Sequence, residues 1–269
     1  MPELPEVETI KNDLGPLIKD CVIDRVEFLW NKTLRGSSPE TFTREVAGQR
    51  IINLSRRGKY LILALESGKM ILVHFKMTGS FLIGKQEGEP PKHTRAIVYL
   101  KDGRGLFFID PRKFGRFQLV NPGNSPLNEL GVEPLSDGFT REMLKELLLK
   151  IKAPIKIALL DQRLIAGIGN MYADEALFLA GIHPLRPSES LSQFEIAHLH
   201  DAIRHVLLEA IENKGASIVN YFRPGGEKGS AHSHFKVAHR KGLCTVCPEV
   251  VQRIVIRGRG TYFCPSCQR

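Results

Sequence analysis

The chain has 269 residues, more than one ordinary core accommodates and enough for two domains of roughly 100–150 residues each. Lys and Arg number 38 against 29 Asp and Glu, a net charge of +9, so the natural partner is an acidic polymer, nucleic acid ahead of an anionic membrane surface. At 42% hydrophobic and 25% charged residues, disorder and a fibrous chain are excluded, and no apolar run approaches the roughly 18 residues of a membrane helix.

The first residues, M-P-E-L-P-E-V-E-T-I, carry three glutamates and no basic cluster ahead of an apolar stretch. They read as neither a signal nor a transit peptide, so a cytoplasmic protein is expected. A small second residue favours removal of Met1, which would expose Pro2 as a secondary amine. With an α-amino pKa of about 7.7–8.0, roughly a tenth of such groups are neutral at pH 7, against fewer than about one lysine in a thousand. That amine can attack a sugar C1′ and form an iminium, and the adjacent Glu3 can protonate the ring or shuttle protons there. Pro5, Glu6 and Glu8 equally suit an ordinary helix start, so the residues alone leave both readings open.

From residue 21 to 120 β-formers dominate, in runs at 22–30, 60–65, 70–75, 96–100 and 106–109. Ser67-Gly68 and Asp102-Gly103 mark hairpins, so an antiparallel sandwich or flattened barrel is expected, with Cys21 an ordinary core thiol. Arg56, Arg57 and Lys59 form a cationic group suited to phosphates or to a solvated face. A Pro, Gly and Asn-rich stretch at 121–138 reads as the interdomain linker.

Beyond it the pattern turns helical. Thr140 is positioned to cap a helix over 141–150, Asn170 one over 171–180 and Ser192 a long one ending near 213. The turn Gly167-Ile168-Gly169-Asn170 opens a helix and could bind a phosphate. Residues 224–229, flanked by 230–233, read as a mobile Gly-rich loop. Finally, Cys244 and Cys247, then sixteen residues, then Cys264 and Cys267 give the spacing of two knuckles closing one structural zinc site. The strands expected between them, at 250–256 and 261–263, are joined by R-G-R-G, a ribbon hairpin with arginine at its tip. Residues 235–269 hold seven Lys or Arg against one acidic residue, a plausible phosphate contact even with four thiolates.

Several motifs occur in order: P-E-L-P-E-V-E-T at the start, R-R-G-K-Y at 56–60, H-F-K-M-T-G at 74–79 and D-P-R-K-F-G at 110–115. L-D-Q-R-L-I-A-G-I-G-N-M-Y-A-D-E-A-L-F at 160–178 and R-G-T-Y-F-C-P-S-C-Q at 259–268 follow. Over essentially the whole chain these resemble bacterial formamidopyrimidine-DNA glycosylase, and Leu4 favours this branch over endonuclease VIII, whose members usually begin P-E-G-P-E. The resemblance implies an α+β protein in three parts. They are a catalytic β-sandwich at 1–133, a helical DNA-binding domain at 134–234 with a helix-two-turns-helix and a lesion-capping loop, and a zinc-ribbon finger at 235–269.

It further implies excision of oxidised purines, such as 8-oxoguanine and formamidopyrimidines, followed by strand cleavage through β- and δ-elimination. The implied roles are Pro2 as Schiff-base nucleophile, Glu3 as general acid, Lys59 as proton donor in β-elimination and Arg259 in δ-elimination. Asn170, Lys152, Lys156 and His93 match phosphate-contact positions, and Met77, Arg112 and Phe114 stand where the family fills the void left by a flipped base. Cys244, Cys247, Cys264 and Cys267 would hold one zinc ion. The expected partner is double-stranded DNA with oxidised or abasic sites, bound by a monomer acting at the bacterial nucleoid. The chain departs from the family pattern at Lys76, at Pro248 after Cys247, and at Val219 and Asn220 in the capping loop, which bears on substrate preference. The competing readings are an endonuclease VIII-like glycosylase of oxidised pyrimidines and a non-catalytic damaged-DNA-binding protein.

Overall fold

Glu3 and Pro5 open helix α1 (Leu4–Ile18), whose Val7, Ile10, Leu14 and Ile18 recur at helical spacing and are fully buried. The chain then forms β1 (Ile23–Phe28) and a short β2 (Leu34–Arg35). Helix α2 (Pro39–Val46) follows, capped by Ser38, whose Oγ accepts from Thr41 N at 3.2 Å. The seven strands after it are β3 (Ile51–Arg57), β4 (Tyr60–Leu65), β5 (Met70–His74), β6 (Ser80–Lys85), β7 (Thr94–Leu100), β8 (Arg104–Ile109) and β9 (Arg116–Val120). The computed structural model describes residues 1–217 and 221–269.

The strands make two sheets, ordered β1-β7-β8-β6 and β2-β9-β5-β4-β3. Neighbours are antiparallel except for β2 and β9, which run parallel over two residues. Glycine at φ +82 and +86 turns the β4–β5 and β7–β8 hairpins, at the two positions expected from Ser67-Gly68 and Asp102-Gly103. Phenylalanines knit the sheets together. Phe28, Phe81 and Phe108 come from the four-stranded sheet and meet Phe117 of the five-stranded sheet edge-on, with ring centroids 5.1–6.0 Å apart. The antiparallel sandwich is therefore the observed arrangement. Ile62, Leu72 and Val120 form a second apolar cluster, so β4 is buried on both faces and loses a clean two-residue alternation.

By packing, the chain separates into one unit of Met1–Asn128 with Asn213–Ser230 and another of Glu129–Glu212 with Ala231–Arg269. The second unit contains α3 (Arg141–Leu148), α4 (Ile155–Leu160), α5 (Asn170–Leu179), α6 (Gln193–Glu212) and the hairpin β10 (Gln252–Ile256) to β11 (Arg259–Phe263). Thr140 Oγ1 accepts from Met143 N at 3.1 Å, and Ser192 Oγ from Glu195 N at 3.2 Å, the two caps expected from sequence. Helix α5 is buried from Met171 to Phe178 and forms the centre of its unit. Among the described residues no helix is long and apolar enough to cross a membrane.

Candidate active site and nucleic-acid interface

The chain start is built as a helix cap and as a buried polar site at once. Glu3 is the extended N-cap of α1, only 1% exposed; its N–H donates to Glu6 Oε2 at 2.8 Å and its carboxylate receives the Glu6 N–H. This reciprocal box fixes the Glu3 side chain beside Pro2, which is itself buried. Glu6 also reaches across to a distant stretch of chain. Its Oε1 accepts from Ala216 N at 2.8 Å, and Tyr221 Oη donates to the Glu6 carbonyl at 3.4 Å. Arg223 adds a two-pronged pair to Asp13, at 2.7 and 2.8 Å. Helix α1, which begins just after Pro2, thus also anchors Ala216, Tyr221 and Arg223.

That anchoring modifies the expected mobile loop at 224–229. Pro224 O accepts from Ile83 N at 3.3 Å, Arg223 N donates to Glu227 O at 2.9 Å, and a Cβ on Gly229 would lie 2.1 Å from the Lys214 carbonyl. The turn is held at both ends and tolerates no side chain at Gly229. Val219 and Asn220 lie outside the described residues.

Lys59 follows Gly58 in the β3–β4 turn, with 7% of its surface exposed. Beside it Arg56 is not a free phosphate ligand: its Nε donates to Glu8 Oε2 at 2.8 Å and its Nη1 to Gly58 O at 3.1 Å. Burial works to raise the Glu8 carboxyl, but Lys11 and Arg56 outweigh it and hold the group below its ordinary range. The Lys59 turn is consequently pinned to α1. On the paired strand, His74 Nδ1 accepts from Lys76 N at 3.0 Å, and desolvation with nearby Lys76 and Lys59 drives the imidazole down to about 3. His74 is therefore neutral at working pH and serves as a backbone brace.

Three loops converge on one residue, Asp110, that sequence reasoning did not single out. Asp110 is 1% exposed; Thr78 Oγ1 donates to its Oδ1, Gly115 N to its Oδ2 at 2.7 Å, and its own N–H donates to His93 O at 3.0 Å. Arg95 Nε closes the set on the Asp110 carbonyl at 2.9 Å. These bonds hold the 75–79, 86–93 and 110–115 loops, which carry Met77, His93, Arg112 and Phe114. Each loop bears a basic residue in the left-handed region: Lys76 at φ 54, His93 at 68 and Lys113 at 62. Gly79 and Gly115 are glycines because a Cβ at either would lie within 3 Å of the Phe108 ring. Met77 and Phe114 are apolar yet 38% and 44% exposed, outside the core. The Arg112 guanidinium lies 5.1 Å over the Phe114 ring, which makes these two one exposed pair. Asp110→Ala should cost about 2–4 kcal/mol, because it strands the buried Thr78 hydroxyl and Gly115 N–H. A urea melt within about 0.5 kcal/mol of wild type, the spread of an ordinary surface substitution, would discard the hub.

In the second unit Lys152 is exposed on the α3–α4 connection, open to an anion. Lys156 is different. Expected at a phosphate, it is 0% exposed, with Nζ 2.5 Å from Asp174 Oδ1 and 2.7 Å from the Asn170 carbonyl. The phosphate expectation is thereby corrected: buried lysine needs a fixed partner, and the α5 carboxylate supplies it. Burial pushes the Asp174 carboxyl up against the pull of Lys156. Asn170 is also corrected as a cap. Gly169 occupies the cap position, and Asn170 Nδ2 donates to Gly260 O of β11 at 2.7 Å.

This link belongs to a larger joint. Asp174 Oδ2 accepts from Tyr262 N at 3.2 Å, while Glu175, buried and pushed up by desolvation, accepts from Lys236, Val237 and Ala238 N at 2.7–2.8 Å. Two acids in the apolar run A-D-E-A-L-F are the signal that could have revealed the joint, since buried carboxylates require such partners. It fixes exposed Arg259, the first residue of β11, to the start of α5.

The hairpin turn consists of Arg257 and Gly258, both at positive φ, which matches the twist of the strands. It places the four cysteine Sγ atoms within 4.8 Å of one another, and they could hold a metal ion. The closest sulfur pairs are 3.4, 3.5 and 3.9 Å apart, near the edge of about 3.8 Å implied by tetrahedral metal–sulfur bonds of about 2.3 Å. Pro248 leaves the first knuckle intact, since Val246 N donates to Cys244 Sγ at 3.4 Å. Cys21, by contrast, is half-buried beside Asp102 and Arg104, at the edge of the core rather than within it.

Residues 1–117 match the family model of the formamidopyrimidine-DNA glycosylase N-terminal domain, and residues 130–221 that of the same family's H2TH domain. The formamidopyrimidine-DNA glycosylase of Chloroflexus aggregans is 46% identical over 272 residues, spanning 100% of this chain and 98% of the relative. The crystal structure of the MutM (Fpg) protein from Thermus thermophilus superposes with a TM-score of 0.90 at 42% identity, covering 99% of this chain and 98% of that one. A Lactococcus lactis Fpg variant in complex with Fapy-dG-containing DNA matches with a TM-score of 0.94 at 33% identity, over all of both chains. Two family models in order and full-length identity establish that the chain belongs to the formamidopyrimidine-DNA glycosylase family.

Proposed function

We propose that the protein is a base-excision repair enzyme that removes oxidised purines from DNA and cuts the strand at the resulting abasic site. The observation that carries this reading is the buried, capped Glu3 beside Pro2 at the start of α1, within a chain 46% identical to a formamidopyrimidine-DNA glycosylase. Once Met1 is removed, the Pro2 nitrogen attacks C1′, the glycosidic bond breaks, and the electron pair leaves with the base, which gains a proton. Glu3 protonates the ring oxygen O4′, the C1′–O4′ bond breaks, and the Pro2 nitrogen, having lost its proton, forms the iminium. The iminium acidifies C2′, so the 3′ phosphate departs by β-elimination with Lys59 as proton donor. The 5′ phosphate departs by δ-elimination with Arg259 in that role.

Met77, Arg112 and Phe114 fill the place of the flipped base: the first and last wedge against neighbouring bases, and Arg112 hydrogen-bonds the orphaned partner. His93, Lys152 and Asn170 hold the backbone. Lys156 acts through Asn170, whose carbonyl it grips, and not on a phosphate. A zinc ion fits the four thiols by number, charge and spacing, and it leaves no open position for chemistry. The fold and charge suit a cytoplasmic monomer acting on duplex DNA.

Borohydride trapping across a lesion panel tests the reading. A covalent adduct should form with 8-oxoguanine, formamidopyrimidine and abasic duplexes, and only weakly with oxidised pyrimidines. Strong trapping on oxidised pyrimidines alone would move the substrate to the endonuclease VIII class. Binding without any adduct, from protein with a free Pro2, would leave a damaged-DNA-binding protein.

A further inference from the structure

The chain's one tryptophan, Trp30, sits half-buried after β1 with two ammonium groups over its indole: Lys113 Nζ at 4.2 Å and Lys32 Nζ at 5.8 Å from the ring centroid. Both lysines are exposed, and neither forms an ion pair among the described residues. Lys11 and Lys69 show the usual alternative, each bonded to a neighbouring glutamate. Lys113 also occupies the left-handed region at φ 62, a conformation that residues with a Cβ rarely adopt. A strained, unpaired lysine stacked on an aromatic beside a second unpaired lysine is an arrangement that stability alone does not call for.

Its placement gives the cluster a context. Lys113 lies between Arg112 and Phe114, which stack on each other, whereas Lys113 stacks on Trp30. Trp30 N donates to Arg95 O at 3.1 Å, and Arg95 Nε donates to Asp110 O at 2.9 Å. Lys113 N donates to that same carbonyl at 3.2 Å. The indole is thus tied through two residues to the hub that fixes the wedge. Resting on the ring, the Lys113 side chain gives up less further freedom when its ammonium meets an anion than an unconstrained lysine does.

From this we infer that Trp30, Lys32 and Lys113 form a separate phosphodiester-binding site, with Lys113 engaging a DNA backbone phosphate beside the wedge whether or not a lesion is present. The inference rests on the DNA-repair reading and assigns a contact outside the residues that perform it. One neutralised phosphate contributes about 0.9 to the slope of log affinity against log salt. In Lys113→Gln the slope should therefore shrink by about 0.9, close to a 3.5-fold difference over a fourfold change in salt. The loss should be equal on undamaged and abasic-analogue duplexes, and Lys113→Arg should restore the slope.

Wild-type protein is titrated first. If it binds duplex DNA without salt dependence, the DNA-repair reading itself falls. If wild type shows a steep slope and Lys113→Gln matches it, only the present inference is overturned. A loss confined to the lesion duplex would likewise overturn it, since Lys113 would then merely support the wedge.

Discussion

Protein whose Pro2 nitrogen is blocked, by acetylation or by a retained Met1, should form no borohydride-trapped adduct and lose at least about 10³-fold in base excision. Its affinity for a lesion duplex should stay within a few fold of wild type. The asymmetry follows from the site. With Met1 in place the nitrogen is an amide, its lone pair delocalised into the carbonyl, and it cannot add to C1′. On the proposed reading, affinity comes from exposed cations such as Lys152, Arg112 and Arg259. The capping box of Glu3 and Glu6 uses the Glu3 N–H and side chain, not the Pro2 nitrogen, so blocking leaves α1 folded. Mass spectrometry before the assay fixes the state of the terminus. A full yield of adduct from blocked protein would transfer the nucleophile to a lysine, with Lys59 the first to substitute.

Metal removal is expected to have the second large effect. Chelation under reducing conditions should melt the β10–β11 ribbon and abolish duplex binding, while the Met1–Asn128 sandwich keeps its strand signal. The cluster around the thiols buries Phe178, Val237, Val251 and two of the cysteines, a core too small to fold without a crosslink. Structural zinc sites supply an apparent 10–16 kcal/mol, roughly the whole stability of a domain. Loss of the ribbon also removes Gly260 as the partner of Asn170 and Tyr262 N as a donor to Asp174, so damage spreads to the start of α5. Elemental analysis should find one zinc per chain. Metal-free protein that still bound DNA fully would show that the four thiols need no ion.

The spacing of the cysteines and the R-G-R-G turn specify the ribbon from the chain alone, because ligand number, knuckle spacing and positive-φ turn residues are local properties. The same holds for the caps at Thr140 and Ser192 and for the hairpins at Ser67-Gly68 and Asp102-Gly103. β3, β6 and β9 are less legible. Each is broken by polar or glycine residues, as in I-I-N-L-S-R-R and S-F-L-I-G-K, and exists because a neighbouring strand completes its hydrogen bonds. The order of motifs is enough to nominate Pro2, Glu3, Lys59 and Arg259, since chemistry restricts residue type.

What tertiary structure alone decided is how side chains of one type divide between roles. Among basic residues, Lys156 is buried on Asp174 and Arg56 is committed to Glu8, whereas Lys113 rests on Trp30 and Lys152 faces outward. Among acids, Asp110 organises three loops and Glu175 grips the approach to the ribbon. The return of Asn213–Ser230 to α1, through Glu6 and Asp13, is likewise invisible in a linear reading. Charge, spacing and turn chemistry are short-range and can be read along the chain. The fate of each ion depends on burial and on a partner as many as 210 residues away, which only the folded packing brings within hydrogen-bond reach.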